Sequence, residues 1–167
     1  MSNYTPSRSS APGGRPGGPG GFGGRGNDSD RERSRSDERP TIELEGIRFS
    51  SAPATTLFSE VAQLAAQEVA NANANLNMAS QLRRFYDELV MWQEKVGRDD
   101  QRFTDCEPYI RMLKAKAAYA YGRQHVDANF RAMFDRLIDE AKDAATLRQA
   151  KLFFEAFMAF YKVFRKQ

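Results

Sequence analysis

One cysteine and one histidine occur in 167 residues. The lone Cys106 excludes an intrachain disulfide and a cysteine-based zinc site. His125 has no nearby cysteine and no partner recognisable from spacing, so no catalytic or metal site can be assembled around it. Long apolar runs are missing too. None approaches the ~18 residues of a membrane span, and the first residues lack the apolar stretch of a secretion leader. The expectation is a cytoplasmic protein with no membrane association, in which the Asn3-Tyr4-Thr5 and Asn27-Asp28-Ser29 glycosylation patterns arise by chance. Glycine and proline are scarce outside one end: nine of the 12 glycines fall between Gly13 and Gly26, and five of the seven prolines within the first 40 residues. Strong charge of one sign is also absent. The net charge is +3; residues 1–40 hold seven arginines against five acids, and the rest holds 18 cations against 17 acids. A folded part so near neutrality has no basic field of its own, so any nucleic-acid site must be a local stripe.

What is present begins with residues 1–40, a Gly/Arg/Ser-rich tail expected to be disordered because it has too little apolar surface to offset backbone entropy. Gly21-Phe22-Gly23-Gly24-Arg25-Gly26 spells G-x-G-x-x-G, but no strand precedes it and no helix follows, so the dinucleotide reading fails. Arginines spaced by glycine around Phe22 could touch RNA, or the segment could serve solubility alone. Residues 41–53 read as an extended arm or linker. Within them Ile42, Leu44, Ile47 and Phe49 could form a short strand or an arm docked on the domain, with Gly46 breaking the period.

Residues 54–167 read as an α-helical bundle, so the expected fold is all-α: about five helices behind a disordered tail. Leu57, Phe58, Val61, Leu64, Ala65 and Val69 have helical spacing over 54–72. The Asn-Ala repeat up to Asn77 is a poor helix interior. Asn77 or Ser80 can cap a helix over about 80–96, where Leu82, Phe85, Leu89, Trp92 and Val96 share a face and Gly97 ends it. Glu107 and Pro108 suit the first turn of a third helix running to Gly122. Residues 127–143 turn Phe130, Met133, Phe134, Leu137, Ile138 and Ala141 inward, and a last helix spans about 145–165. Its aromatics, Phe153 to Phe164, could be core, or could leave some area for a neighbouring subunit.

Cations border these cores rather than fill them. At ~100° per residue, Tyr109, Ile110, Leu113, Ala117, Ala120 and Tyr121 form the inner side of the third helix. Lys116, Tyr119 and Arg123, spaced i, i+3, i+7, form another stripe, and Lys114 lies on the opposite flank. Such a row can follow phosphates along a strand without reading bases, or it can be a solvated face. Arg83 and Arg84 stand early in the second helix, where the helix dipole disfavours cations by a few tenths of a kcal/mol. They could be held there by function, by pairs with Asp87 and Glu88 at i+4, or by both.

Gln81-Leu82-Arg83-Arg84-Phe85, then Leu113 to Arg123 (LKAKAAYAYGR), then Phe153-Phe154-Glu155-Ala156-Phe157 resemble the Csm small-subunit family of type III-A CRISPR effector complexes over residues of about 55 to 167. Ala115 stands where that family often has proline, Met78-Ala79 replace hydroxyl residues, and the Gly/Arg tail lies outside the pattern. The resemblance implies a non-catalytic, antiviral RNA-binding subunit without cofactor or metal. Its partners would be the backbone of guide crRNA and target RNA, the Csm backbone subunits, the large polymerase-cyclase subunit and neighbouring copies of itself. The RNA-binding residues would be Arg83, Arg84, Lys114, Lys116, Tyr119 and Arg123. Two other readings remain open: a helical interaction adaptor without a nucleic-acid role, and a single-strand RNA binder driven by the tail. Only the small-subunit reading needs the Arg83/Arg84 pair and the Lys116/Arg123 pair on one surface.

Overall fold

The computed structural model describes residues 39–165. The expectations for the tail up to residue 38 lie outside the described residues. Five α-helices follow one another: α1 (Ala62–Ala70), α2 (Ala79–Val96), α3 (Asp100–Gly122), α4 (Ala128–Glu140) and α5 (Ala144–Phe164). Among the described residues there is no strand, and no helix is long and apolar enough to cross a membrane.

α5 is the axis of the bundle and touches all four other helices. Its Phe153, Phe154, Phe157 and Tyr161 are buried, while Phe160 and Phe164 are half-buried against the same core. The aromatic ridge is therefore largely spent inside the bundle. Phe154 lies 5.7 Å from Phe134 of α4, and Phe134 lies 5.0 Å from Phe85 of α2, a run of tilted rings that joins three helices. Against this bulk α1 presents Ala62, Ala65, Ala66 and Val69, small side chains that permit close approach. Phe130, Met133, Phe134, Leu137, Ile138 and Ala141 are all buried, as their spacing requires.

Helix ends follow local chemistry. Gly97 closes α2 at φ 64, a left-handed conformation that favours glycine. Asp99 then caps α3 by accepting from the backbone N–H groups of Gln101 and Arg102. This cap starts α3 at Asp100, earlier than the expected start at Glu107-Pro108, and Pro108 lies inside the helix. The proline is tolerated because it and Thr104, whose carbonyl it leaves without a helical donor, face solvent, while Phe103, Cys106 and Ile110 hold the opposite side in the core. Asp143 and Thr146 form a capping box at α5. The Thr146 backbone hydrogen bond holds the Asp143 carboxyl below its usual value.

The first helix departs from expectation. Leu57–Val61 is a π-helical turn, with Val61 N–H donating to the Thr56 carbonyl. Its five-residue step aligns buried Leu57 with buried Ala62, and the face rotates so that Leu64 is exposed. The preceding segment buries Ile42, Ile47 and Phe49 without forming a strand. Asn129 accepts from the N–H groups of Thr41 and Ile42, Arg136 donates to the Ile47 carbonyl at 3.0 Å, and Gln149 exchanges hydrogen bonds with Ser50. Gly46 sits where a Cβ would come 3.2 Å from both Val61 methyls.

Neither Asn77 nor Ser80 caps α2, whose N-cap is Met78 without a side-chain bond. Asn77 is instead wholly buried at φ 54. Its side-chain N–H donates to the Val69 carbonyl at 3.0 Å, and its side-chain oxygen accepts from the Asp127 N–H at 2.9 Å. Its backbone N–H donates to the His125 carbonyl at 2.9 Å, and its carbonyl accepts from the Tyr161 hydroxyl. The rest of the Asn-Ala loop is gathered by Arg165, whose guanidinium donates to the carbonyls of Ala70, Ala72, Asn73, Ala74 and Leu76.

Three outcomes are expected in denaturation experiments. Ile47→Ala should destabilise by about 2–5 kcal/mol, the range for a truncated core residue, whereas Glu45→Ala at an exposed position should stay within about 0.5 kcal/mol. Asn77→Ala removes the side-chain donor to the Val69 carbonyl and the side-chain acceptor of the Asp127 N–H in a left-handed backbone, and should cost about 3 kcal/mol; Asn77→Gly should be less damaging by about 1 kcal/mol because glycine accepts that φ. Burial pushes the Tyr161 hydroxyl above 10.0, opposed by nearby Arg165. The folded form therefore holds this proton longer than the unfolded form. The associated stability is complete below pH 10 and declines as pH rises through the raised value. Tyr161→Phe should lose about 0.5–1.5 kcal/mol at neutral pH and show a shallower alkaline decline in urea midpoint than the parent.

Candidate nucleic-acid interface

The cation-bearing residues divide among three flanks, and the helical period explains the division. On α2 the core stripe is Leu82, Phe85, Leu89 and Val96. Arg84, Glu88, Met91, Trp92 and Lys95 lie to one side of it, and Arg83, Tyr86 and Asp87 to the other. Tyr86 stands edge-on to Phe154 of α5 at 5.9 Å, so that second flank faces α5. The first flank faces α3: Trp92 stacks on Tyr109 at 5.6 Å and 12°, and Lys116 Nζ lies 2.5 Å from Glu88 Oε2. Moving back along α2 from Trp92 to Glu88 moves forward along α3 from Tyr109 to Lys116, so the two helices are antiparallel. Carried one turn further at ~1.5 Å per residue, this register brings Arg84 level with Tyr119, with Arg123 at the turn beyond.

Arg84, Lys116, Tyr119 and Arg123 therefore share the α2–α3 face. Arg84 and Arg123 are exposed, and neither has an ion-pair partner among the described residues. The expected Arg84–Glu88 pair does not form, because Glu88 reaches across to Lys116. Arg83 does form its i,i+4 pair, 2.8 Å from Asp87, with its guanidinium 5.2 Å from the Tyr86 ring centroid. It points to the α5 side of the helix that Arg84 occupies on the α3 side.

Lys114 belongs to a different surface. Its ammonium lies 2.7 and 2.8 Å from the two Asp139 oxygens of α4. Beside it Arg111 holds Glu107 at 2.9 Å and donates to the Ile138 and Ala141 carbonyls, closing the C-terminal end of α4. Burial raises the Asp135 carboxyl, with the Lys114 and Arg131 charges opposing. These contacts give Lys114 a structural role between α3 and α4.

On this face, two residues that the sequence assigns to the core are not fully there. Tyr109 is 55% exposed and Trp92 is half-buried; they cover one another on the surface. Lys95 stands over the Trp92 ring at 5.1 Å. Met91 and Met112 are exposed on the same face. Sequence reasoning missed this apolar end, yet a signal for it exists. Tyr109, Met112, Lys116, Tyr119 and Arg123 repeat at i, i+3, i+7, i+10, i+14, one continuous stripe of which only the last three residues were read. His125 is exposed just past α3, and among the described residues no cluster of histidine, cysteine or acids could hold a metal.

The two ends of the α2–α3 face differ in character. One end carries Arg84, Lys116 and Arg123 around an exposed tyrosine; the other carries stacked aromatics and methionines. Comparison with known proteins adds the family. Neither the curated proteins nor the solved structures searched gave a match. Residues 53–167 match the family model described as Csm2 Type III-A. That span takes in all five helices and the whole α2–α3 face, leaving the 39–52 arm before it. The chain accordingly belongs to the Csm2 Type III-A family, subunits of the multisubunit Csm complex of type III-A CRISPR systems.

Proposed function

We propose that this chain is a non-catalytic RNA-binding small subunit of a type III-A Csm complex in cytoplasmic antiviral defence. It lines the channel for guide crRNA and target RNA through contacts to the sugar-phosphate backbone. The observation that carries the reading is the placement of unpaired Arg84 and Arg123 on one face with Lys116, joined across α2 and α3 by the Glu88–Lys116 pair. Three cations along one seam suit a polyanion read by charge and spacing. Arg83, on the α5 side of α2, and Lys114, paired with Asp139 of α4, lie off this seam.

The apolar end of the same face supports contacts with protein neighbours: the backbone subunits, the large polymerase-cyclase subunit or further copies of this chain. Met91 and Met112 are exposed there, and methionine and aromatic side chains are enriched in such contacts. That observation alone would also suit the adaptor reading, in which the face binds protein and the cations serve solubility.

RNA titrations of the full chain separate the two. Binding to a single-stranded oligoribonucleotide should weaken with salt, with a log–log slope of roughly −0.7 per phosphate contact. Arg84→Ala, Lys116→Ala and Arg123→Ala together should lower affinity strongly while changing stability by only about 1 kcal/mol, since each group is exposed. Arg148→Ala with Lys162→Ala, exposed cations on the outer side of α5, should have a smaller effect per charge removed. Glu88→Gln removes the acid from the cation row and should tighten binding. Equal losses from the two sets of substitutions would reduce the effect to net charge, and unchanged binding in the triple variant would favour the adaptor.

A further inference from the structure

Of the aromatic side chains among the described residues, only Tyr109 and Tyr119 are exposed. Tyr109 has its face covered by Trp92. Tyr119 is 69% exposed, and among the described residues no ring, cation or hydrogen-bond partner holds it. Lys116 precedes it by three residues and Arg123 follows it by four, so both cations stand on its own helical stripe, one to each side along the axis. Arg84 comes level with it from α2. A tyrosine left this open to water adds little to the bundle core. A nucleobase offers the complementary flat face, and the flanking cations are placed for the phosphates on either side of that base.

The geometry points to Tyr119 as a stacking platform for one unstacked nucleobase, so that this face prefers RNA with at least one base free of its helical stack to a fully paired duplex. The inference rests on the RNA-binding reading and sharpens it from a backbone contact to a ligand class. Base stacking on an aromatic platform tolerates any base, so the site remains indifferent to sequence while discriminating on strand form. Phosphate contacts alone would pull the other way, because a duplex sets one charge per ~1.7 Å of its axis, about twice the density of a single strand, so a face read by charge only would bind the duplex probe at least as tightly as oligouridylate.

The test measures affinities of the full chain for three probes of equal length: oligouridylate, the same ribose-phosphate chain without bases, and a blunt RNA duplex. The parent protein should bind oligouridylate several-fold to about a hundredfold more tightly than the abasic chain, the range for stacking on one aromatic side chain. Tyr119→Ala should remove most of that difference while leaving abasic binding unchanged, and Tyr119→Phe should preserve it. Helical content and thermal midpoint of both variants should match the parent, because the side chain is exposed. If Tyr119→Ala weakens the abasic chain as much as oligouridylate, or alters only the oligomeric state, the platform assignment is overturned. That failure is distinct from failure of the RNA-binding reading, which would appear as indifference of every probe to loss of Arg84, Lys116 and Arg123.

Discussion

Four hydrogen bonds from one buried asparagine set the relation between the beginning and the end of this bundle. Asn77 links the end of α1, the turn before α4 and the aromatic axis α5 through its side chain and its own backbone. A buried amide is costly unless every donor and acceptor finds a partner. Here the left-handed backbone turns the side chain and the main chain toward different neighbours, so that each finds one. No aliphatic side chain of similar size could bridge these backbone groups. The result specifies a single arrangement for segments that the apolar contacts alone would permit to slide.

The candidate interface depends on that arrangement. α2 begins two residues after Asn77, and α3 ends shortly before His125, whose carbonyl accepts from the Asn77 N–H. The amide therefore fixes the start of one helix against the end of the other. Farther along, the Trp92–Tyr109 stack and the Glu88–Lys116 pair hold the same register. Arg84 comes level with Tyr119 because the seam is pinned at both ends. The packing of the seam thus decides whether the cations stand in a row.

Most of the helical architecture was legible from apolar spacing, since inner positions such as Phe130, Phe134 and Leu137 follow the 3.6-residue period without interruption. The misreadings have specific causes. Pro108 suggested a helix start, but the Asp99 cap lay nine residues upstream and the proline faces water, where a free carbonyl is hydrated. Leu64 fitted an α-period that the π-helical turn shifts by one residue. Asn77 fitted the profile of a cap, and only the fold shows four partners converging on it. In the candidate site Lys116, Tyr119 and Arg123 were visible as a stripe. The choice of Glu88 between Arg84 and Lys116 was not, because a partner at i+4 and a partner on another helix look alike until the helices are packed.

That choice gives the cation row an internal competitor. A phosphate approaching Lys116 meets an ammonium already neutralised by Glu88, and contact is an exchange of one anion for another with little net change in electrostatic energy. Arg84 and Arg123 carry no such competitor among the described residues, so the row is uneven along its length: a guarded cation at one end and two open ones beyond it.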